Sequence, residues 1–534
     1  MAEITEVAAT VVAVSPTDGV TLQRSDKPNK RPKYLESNRP NDLQAGETVV
    51  IVYSDTQIIR IKRPTSSAFL NPYVMLASPK RVADAAWADA EPPGHSALPH
   101  GHYRGTVDVT ITSESPLLLL DQGEAEPGGP ALWVRRLDPD DDKPLLDPTS
   151  VKGMLRSAFE AVTVSRYGVF AGHNDPLTIR VGRTKEDFKK SPAEVLDLED
   201  LRPSVSVEKL SPAERVFGWV GDERAETPVA AYRGHAWVED VHVDRAEIVP
   251  LTETDPEGLQ LTTLNSPKPE QYRFYLKDVD GKPLPSGRQK SINEGYTDAS
   301  RLARKFYWPH PSRAKPDYWK PSPMTPHMVE EKDDDSNSLG LRRHGYAEPS
   351  WDAEARTYRE YIAPVGTKPK VSRVINEWVA PGATFRFTLR FDGVTAKHLG
   401  VLLWLLDDQR LRFGLGGGKP LGFGTVRLSV EGSEIQSADM VRKSLSRWQS
   451  PVDGVDHSEL LDVGVTSLDQ AYPKRRETFA KISDPPEIPV HYPRTSDEPI
   501  AESYEWFMAN EHPDGGKHSL PDIDDPALPY NPQA

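Results

Sequence analysis

The densest chemical signal in the chain is RFGLGGGKPLGFGTVRL, with glycines at Gly414, Gly416, Gly417, Gly418, Gly422 and Gly424 and a lysine, Lys419, among them. Glycine carries no side chain, so bare backbone amides can approach an anion, and Lys419 sets a positive charge beside them. Two phosphate-binding patterns do not fit. A P-loop needs a glycine where Phe413 stands and Ser or Thr where Pro420 stands, and a strand follows here instead of a helix. A dinucleotide fingerprint needs its third glycine at Lys419 and a strand leading in. The remaining readings are a loop whose backbone meets a polyanion, or a flexible helix-to-strand connection. Six glycines between positions 414 and 424 exceed what a turn needs and favour the first.

A second cluster is PTSVKGMLRSAFEAV, where Val151, Leu155, Ala158, Phe159 and Val162 recur at helical spacing. Thr149 or Ser150 can cap its start. Ser150, Lys152 and Gly153 then sit where backbone N–H groups are free, a helix terminus suited to an anion, and Arg156 follows one turn on. The alternative is an ordinary capped amphipathic helix. His95, His100 and His102 fall close together but lack a fourth ligand, and read as incidental loop histidines. No G-x-S-x-G nucleophile motif is present.

Composition bounds the rest. A chain of 534 residues predicts two to four folding units. With no cysteine, disulfides, thiolate zinc sites, iron–sulfur clusters and cysteine nucleophiles are excluded. No apolar run is long enough to span a membrane, and the start lacks the basic and apolar regions of a signal peptide, so a cytoplasmic protein is expected. The net charge of −15 argues weakly against nucleic-acid binding, but it is unevenly spread. Residues 483–534 hold 11 acids against Arg494 and Lys517, a net of −9, and the last stretch is proline-rich and reads as disordered. Residues 271–330 carry 11 bases, six acids and nine aromatics. Tyr272, Phe274, Tyr275, Tyr296, Phe306, Tyr307, Trp308, Tyr318 and Trp319 interleave there with bases that include Arg273, Lys305, Arg313 and Lys315. Such a mixture can hold phosphates and stack unpaired bases, or it can pack locally as an irregular insertion. A second basic stretch, SDKPNKRPKYLESNR, reads as a mobile loop.

The elements that must position these clusters follow from periodicity. Residues 1–65 form a small β unit, either an OB-like or cold-shock-like barrel or, more simply, a β appendage, with a linker over 66–102. A strand is expected over Tyr103–Thr112, then the first helix, a short helix opened by the capping box Ser211–Glu214, and a strand near Ala236–Val243. After an irregular insertion over 245–380, TFRFTLRF alternates strictly, a helix runs from about Thr395 to Gln409, and a strand covers Thr425–Val430. The order β, α, β, then β, α, β is the split arrangement of a ferredoxin-like, RRM-like α+β fold, here carrying long insertions. The core halves span 103–244 and 381–435, with a C-terminal extension over 436–512 and an acidic tail over 513–534.

These residues together resemble a known family. DPTSVKGMLRSAFE resembles the first-helix motif of the RAMP superfamily, the repeat-associated proteins of CRISPR systems. FGLGGGKPLGFGTV resembles the family's glycine-rich loop, and ERVFGWVGD with AYRGHAWVED resembles the segment between them. The resemblance covers about residues 68–510. It implies a ferredoxin-like subunit of a type III-like antiviral effector complex that binds CRISPR RNA along its backbone, beside other RAMP subunits, a large subunit and target RNA. Some members cut paired target RNA with a metal ion and an aspartate in the loop after the first strand, where this chain offers Asp121, Asp138, Asp140, Asp141 and Asp142. Asp121 is the candidate catalytic residue and Mg²⁺ the cofactor if the chain is catalytic. Others are purely structural, which is the favoured reading. A third alternative is a protein-binding adaptor on an RRM-like core. The resulting expectation is a guide-RNA subunit whose Lys152, Arg156, Lys419 and glycine loop contact phosphates.

Overall fold

The computed structural model describes residues 4–15, 19–24, 33–34, 43, 45, 48–54, 57–62, 68–121, 131–138, 142–170, 173–181, 184–221, 230–264, 266–310, 316–320, 323–332, 336, 338–347, 351–352, 357–448, 454–499 and 504–532. Asp140, Asp141, Arg313, Lys315 and most of the basic stretch 25–39 lie outside them. The chain forms two compact units, Met1–Ser67 and Ala68–Ala534.

The first unit is one antiparallel sheet. Its strand order is Lys33–Tyr34, Gly19–Arg24, Ile4–Ser15, Thr48–Ser54, Gln57–Lys62. Alternate residues Ala9, Val11, Val20, Leu22, Val49, Ile51 and Ile61 are buried together, as a half-buried period-2 pattern requires.

The second unit is organised by β1 (His102–Ser113), α1 (Pro148–Val162), β2 (two segments, Ala236–Val238 and His242–Arg245), β3 (Thr384–Thr395), α2 (Ala396–Asp407) and β4 (Thr425–Ser437). The sheet runs β4, β1, β3, β2, antiparallel at every pairing. A two-residue strand, Phe413–Gly414, pairs with the outer side of β4. Register explains the core: Ile111 lies opposite Phe385 on one side and Leu428 on the other, and Val109 opposite Phe387 and Val430. These apolar positions share one face, and α1 and α2 cover it with Leu155, Phe159, Leu399 and Leu402. Strand β4 outruns the expected Val430 by seven residues, because a bulge between Val430 and Gly432 resets its alternation and pairing resumes to Ser437.

Helix α1 begins earlier than expected. Asp147, not Thr149 or Ser150, is the N-cap: its carboxylate accepts from the Thr149 amide at 2.8 Å, and Pro148 fills the first turn, where its missing N–H costs nothing. The short capped helix over Pro212–Phe217 is present, with the Ser211–Glu214 box intact.

Two further segments carry packed clusters of their own. Within 245–380, Tyr318, Trp319, Tyr346, Tyr361 and Trp378 form a second aromatic core. The C-terminal segment expected to be disordered is instead docked. Ala527–Pro529 pairs with Ala68–Leu70, and Leu520, Leu528 and Tyr530 are buried against Phe69 and Trp506. A few well-spaced apolar anchors hold it, while Asp514, Asp524 and Asp525 stay exposed, which a composition average does not reveal. Leu528→Ala should therefore cost about 2–5 kcal/mol in urea unfolding. A mobile tail would tolerate the change.

Candidate functional site: a cleft between the first helix and the glycine-rich loop

A cleft of about 1030 Å³ lies where the loop after β1, the start of α1 and the loop before β4 meet. Its walls include Asp121, Arg135, Asp147, Ser150, Gly153, Lys305, Tyr307, Arg412, Gly414, Gly416, Gly417 and Lys419. Antiparallel pairing places these segments together, since the end of β1 faces the start of β4 (Ser113 opposite Val426) and both loops leave the sheet at that end. The loops are then stitched by backbone: the Gly424 amide donates to Pro116 O at 2.9 Å and the Gly417 amide to Leu118 O at 3.1 Å. Phe423 anchors the loop's far end against Trp319, Tyr361 and Trp378, at 5.1, 5.6 and 5.8 Å between ring centroids. These rings of the insertion and its flank thus pack locally.

The sequence-predicted residues separate into groups. Ser150, Gly153, Gly414, Gly416, Gly417, Lys419 and Asp121 line the cleft. Arg156 does not: it lies outside the lining, and its guanidinium donates to Glu160 at 2.8 Å and to Gly218 O at 3.1 Å. Lys152 is half-buried outside the lining, and burial, with Arg156 nearby, lowers its pKa. The helix terminus is a correction. Its first amides are satisfied by Asp147, through the carboxylate to Thr149 and the carbonyl to Ser150, and the Thr149 hydroxyl holds that carboxyl below its ordinary pKa. An anion meets a negative cap there, not vacant donors.

The six loop glycines also divide. Gly416, Gly418, Gly422 and Gly424 all have positive φ. At Gly424 a Cβ would stand 2.0 Å from Leu415 O, so chain geometry alone requires glycine. Gly414 leaves room for the stem of Lys419. Gly417 has neither constraint: its φ is ordinary and a Cβ would meet only Leu118 atoms at 3.7 Å. Gly153 is in the same position, a glycine inside a helix with nothing within 4 Å of a Cβ, although helical glycine is unfavourable by about 1 kcal/mol against alanine. Both unexplained glycines line the cleft.

Four cations and two carboxylates stand on the walls. Arg412 is held by Glu114 at 2.6 Å. Lys419 donates to Gly416 O at 2.6 Å, and burial lowers its pKa. Arg135 is the most accessible, with its side chain 49 % exposed and Asp147 3.8 Å away. Arg135 was legible in principle: in ALWVRR, Leu132 and Val134 are buried while Trp133 and Arg135 are exposed, a period-2 pattern. Asp121 donates its amide to Trp133 O at 3.1 Å across the same wall. Asp138 and Asp142 are described but outside the lining. His95 stacks on Tyr232 and His235, and among the described residues no three His, Cys, Asp or Glu side chains converge as a metal site. A second groove, of about 920 Å³, lies over the open sheet face. It carries Asp108, Glu239, Asp240 and Glu431 against Arg386 and His242, a poor place for a polyanion.

The sequence profile of the RAMP superfamily matches residues 128–427, which is 300 of the 534 residues and spans both α1 and the glycine-rich loop. The chain belongs to the RAMP superfamily. No curated protein matches it. Among solved structures, a type IV-B CRISPR complex matches at 16% identity and TM-score 0.25, covering 61% of this chain and 90% of that one. The crystal structure of Csc2 from Thermofilum pendens matches at 12% identity and TM-score 0.28, covering 73% and 93%. Among the described residues of this RAMP chain, no helix is long and apolar enough to cross a membrane.

The two kinds of glycine predict opposite outcomes. Gly424→Ala should destabilise the protein by about 1–3 kcal/mol, whereas Gly153→Ala should stabilise it by up to about 1 kcal/mol, both read by chemical denaturation.

Proposed function

We propose that this RAMP chain is a CRISPR RNA-binding subunit of a type III-like antiviral effector complex, with the guide's backbone lying in the cleft between α1 and the glycine-rich loop. The observation that carries this reading is the pair of glycines, Gly153 and Gly417, that the fold does not require and that both line the cleft together with Arg135 and Lys419. A bare wall with cations at its edge suits close approach of a phosphodiester chain. The strand order β4, β1, β3, β2 supports a ferredoxin-like core. On the open face of the sheet β1, β3 and β4 carry no aromatic ring, Trp237 on β2 is covered by Arg233, and Arg390–Glu239 and Thr388–Asp108 contacts lace the surface, which favours the cleft as the RNA surface. Target RNA, other RAMP subunits and a large subunit are the partners this reading implies.

Removing charge and removing space test it separately. Arg135→Ala with Lys419→Ala should weaken RNA retention and flatten its log–log salt dependence by ~1.4, two single-strand phosphate contacts' worth. An unchanged slope would place the RNA elsewhere. Gly153→Gln should weaken retention while leaving thermal stability at or above wild type.

Asp121 on the cleft wall favours one further reading, a metal-dependent endoribonuclease that cuts guide-paired target RNA. Asp121 and Asp147 are oxygen donors suited to Mg²⁺, which would take its remaining ligands from water and phosphate. Bound Mg²⁺ would supply Lewis-acid stabilisation of a phosphoryl oxygen. Incubating the assembled complex with complementary RNA and Mg²⁺ decides the matter: this reading requires cleavage that Asp121→Ala abolishes without loss of RNA binding.

A further inference from the structure

Among the described residues, the basic-aromatic insertion reaches the cleft at one place. The strand Arg304–Tyr307 pairs antiparallel with Tyr73–Leu76, Lys305 lying opposite Met75, and this pairing sets Lys305, Phe306 and Tyr307 on the cleft wall. The insertion's other charged bases are mostly neutralised. Arg273 pairs with Glu511, Lys282 with Asp522, Arg288 with Glu294, Arg301 with Glu199 and Arg304 with Glu160. Lys305 has no carboxylate partner among the described residues. Its Nζ lies over the Tyr73 ring, 4.0 Å from the centroid, and 5.0 Å from that of Tyr307. Aromatic faces partly compensate a desolvated ammonium but do not neutralise it. Burial accordingly lowers its pKa to about 8. A half-buried cation on a cleft wall with no carboxylate partner among the described residues calls for an anion supplied from outside the chain.

We propose that Lys305 is the insertion's contact to RNA in the cleft, neutralising one backbone phosphate while Tyr73 and Tyr307 hold its Nζ in place. The assignment rests on the cleft being the RNA surface. The groups facing Lys305 are Tyr73 and Tyr307, with Tyr275 beside them, and across the cleft the walls carry Arg135, Arg412, Lys419, Asp121 and Asp147. The three tyrosines are all shifted upward from their ordinary pKa by burial and do not ionise near neutral pH. Lys305 is charged below its pKa, so its contact is present at low pH and is lost as pH rises through about 8.

The test uses the full chain and a labelled single-stranded RNA of mixed sequence, with retention measured from pH 6.5 to 9 at several salt concentrations. Wild type should lose affinity across pH 7–9. Lys305→Arg, which stays charged, should bind with less of that loss. Lys305→Met, which keeps the stem, should bind about tenfold more weakly at pH 6.5 with a salt slope reduced by ~0.7. Thermal melts confirm that both variants are folded. If wild type binds and Lys305→Met matches it in affinity and slope, the Lys305 assignment is overturned and the cleft reading stands. If wild type retains no RNA at low salt, both fall. If Lys305→Met weakens binding but Lys305→Arg shows the full wild-type pH loss, another group carries the titration and the assignment is overturned.

Discussion

The architecture depends on one strand being paired on both sides. β1 is hydrogen-bonded along its whole length to β3 and to β4, although their sequences lie roughly 280 and 320 residues downstream. Because both pairings are antiparallel, the end of β1 and the start of β4 share one edge of the sheet. The loop after β1, which leads into α1, and the glycine-rich loop before β4 both lie at that end, and the strand Arg304–Tyr307 adds a further wall from outside the sheet. A one-residue slip in either register would turn Val107, Val109 and Ile111 outward and separate the loops. Burial of the apolar face under α1 and α2 therefore fixes the register, and the register fixes the site.

The cleft shows two different uses of glycine and of charge. Most glycines of the loop make its own tight path possible, with Phe423 pinned in an aromatic box so that the loop is held rather than free. Gly153 and Gly417 serve no such purpose and leave the walls bare. Cations follow the same division. Arg156, Arg304 and Arg412 are committed to carboxylates, and Arg304 and Arg156 share Glu160 in a network beneath α1. Arg135 and Lys305 stand on the cleft wall with little or no neutralisation by carboxylates among the described residues. Charges already neutralised within a fold add little to ligand affinity, so residue type alone does not identify the binding cations.

Much of this was legible before folding, and for a local reason. The period-2 alternation of TFRFTLRF and the helical stripes of α1 and α2 are set by near neighbours, and their ranges agree with the structure to within a few residues. The absence of cysteine and the uneven charge are likewise sequence facts. The glycine count singled out a loop that lines the cleft, although for most positions the cause is intrachain geometry.

What the sequence could not decide is every property that needs a distant partner. Arg156 and Lys305 look alike as bases near aromatic or helical motifs. The Arg156–Glu160 pair follows from helical spacing, but only the fold gives Arg156 a carbonyl sixty-two residues on and leaves Lys305 beside two rings. The acidic tail looked solvated because its average composition hides Leu528 and Tyr530, whose burial depends on Phe69 at the other end of the unit. Periodicity is dictated by adjacent residues, so the chain itself fixed its strands and helices. Neutralisation, burial and the cleft depend on segments hundreds of residues apart, and these only the tertiary structure decided.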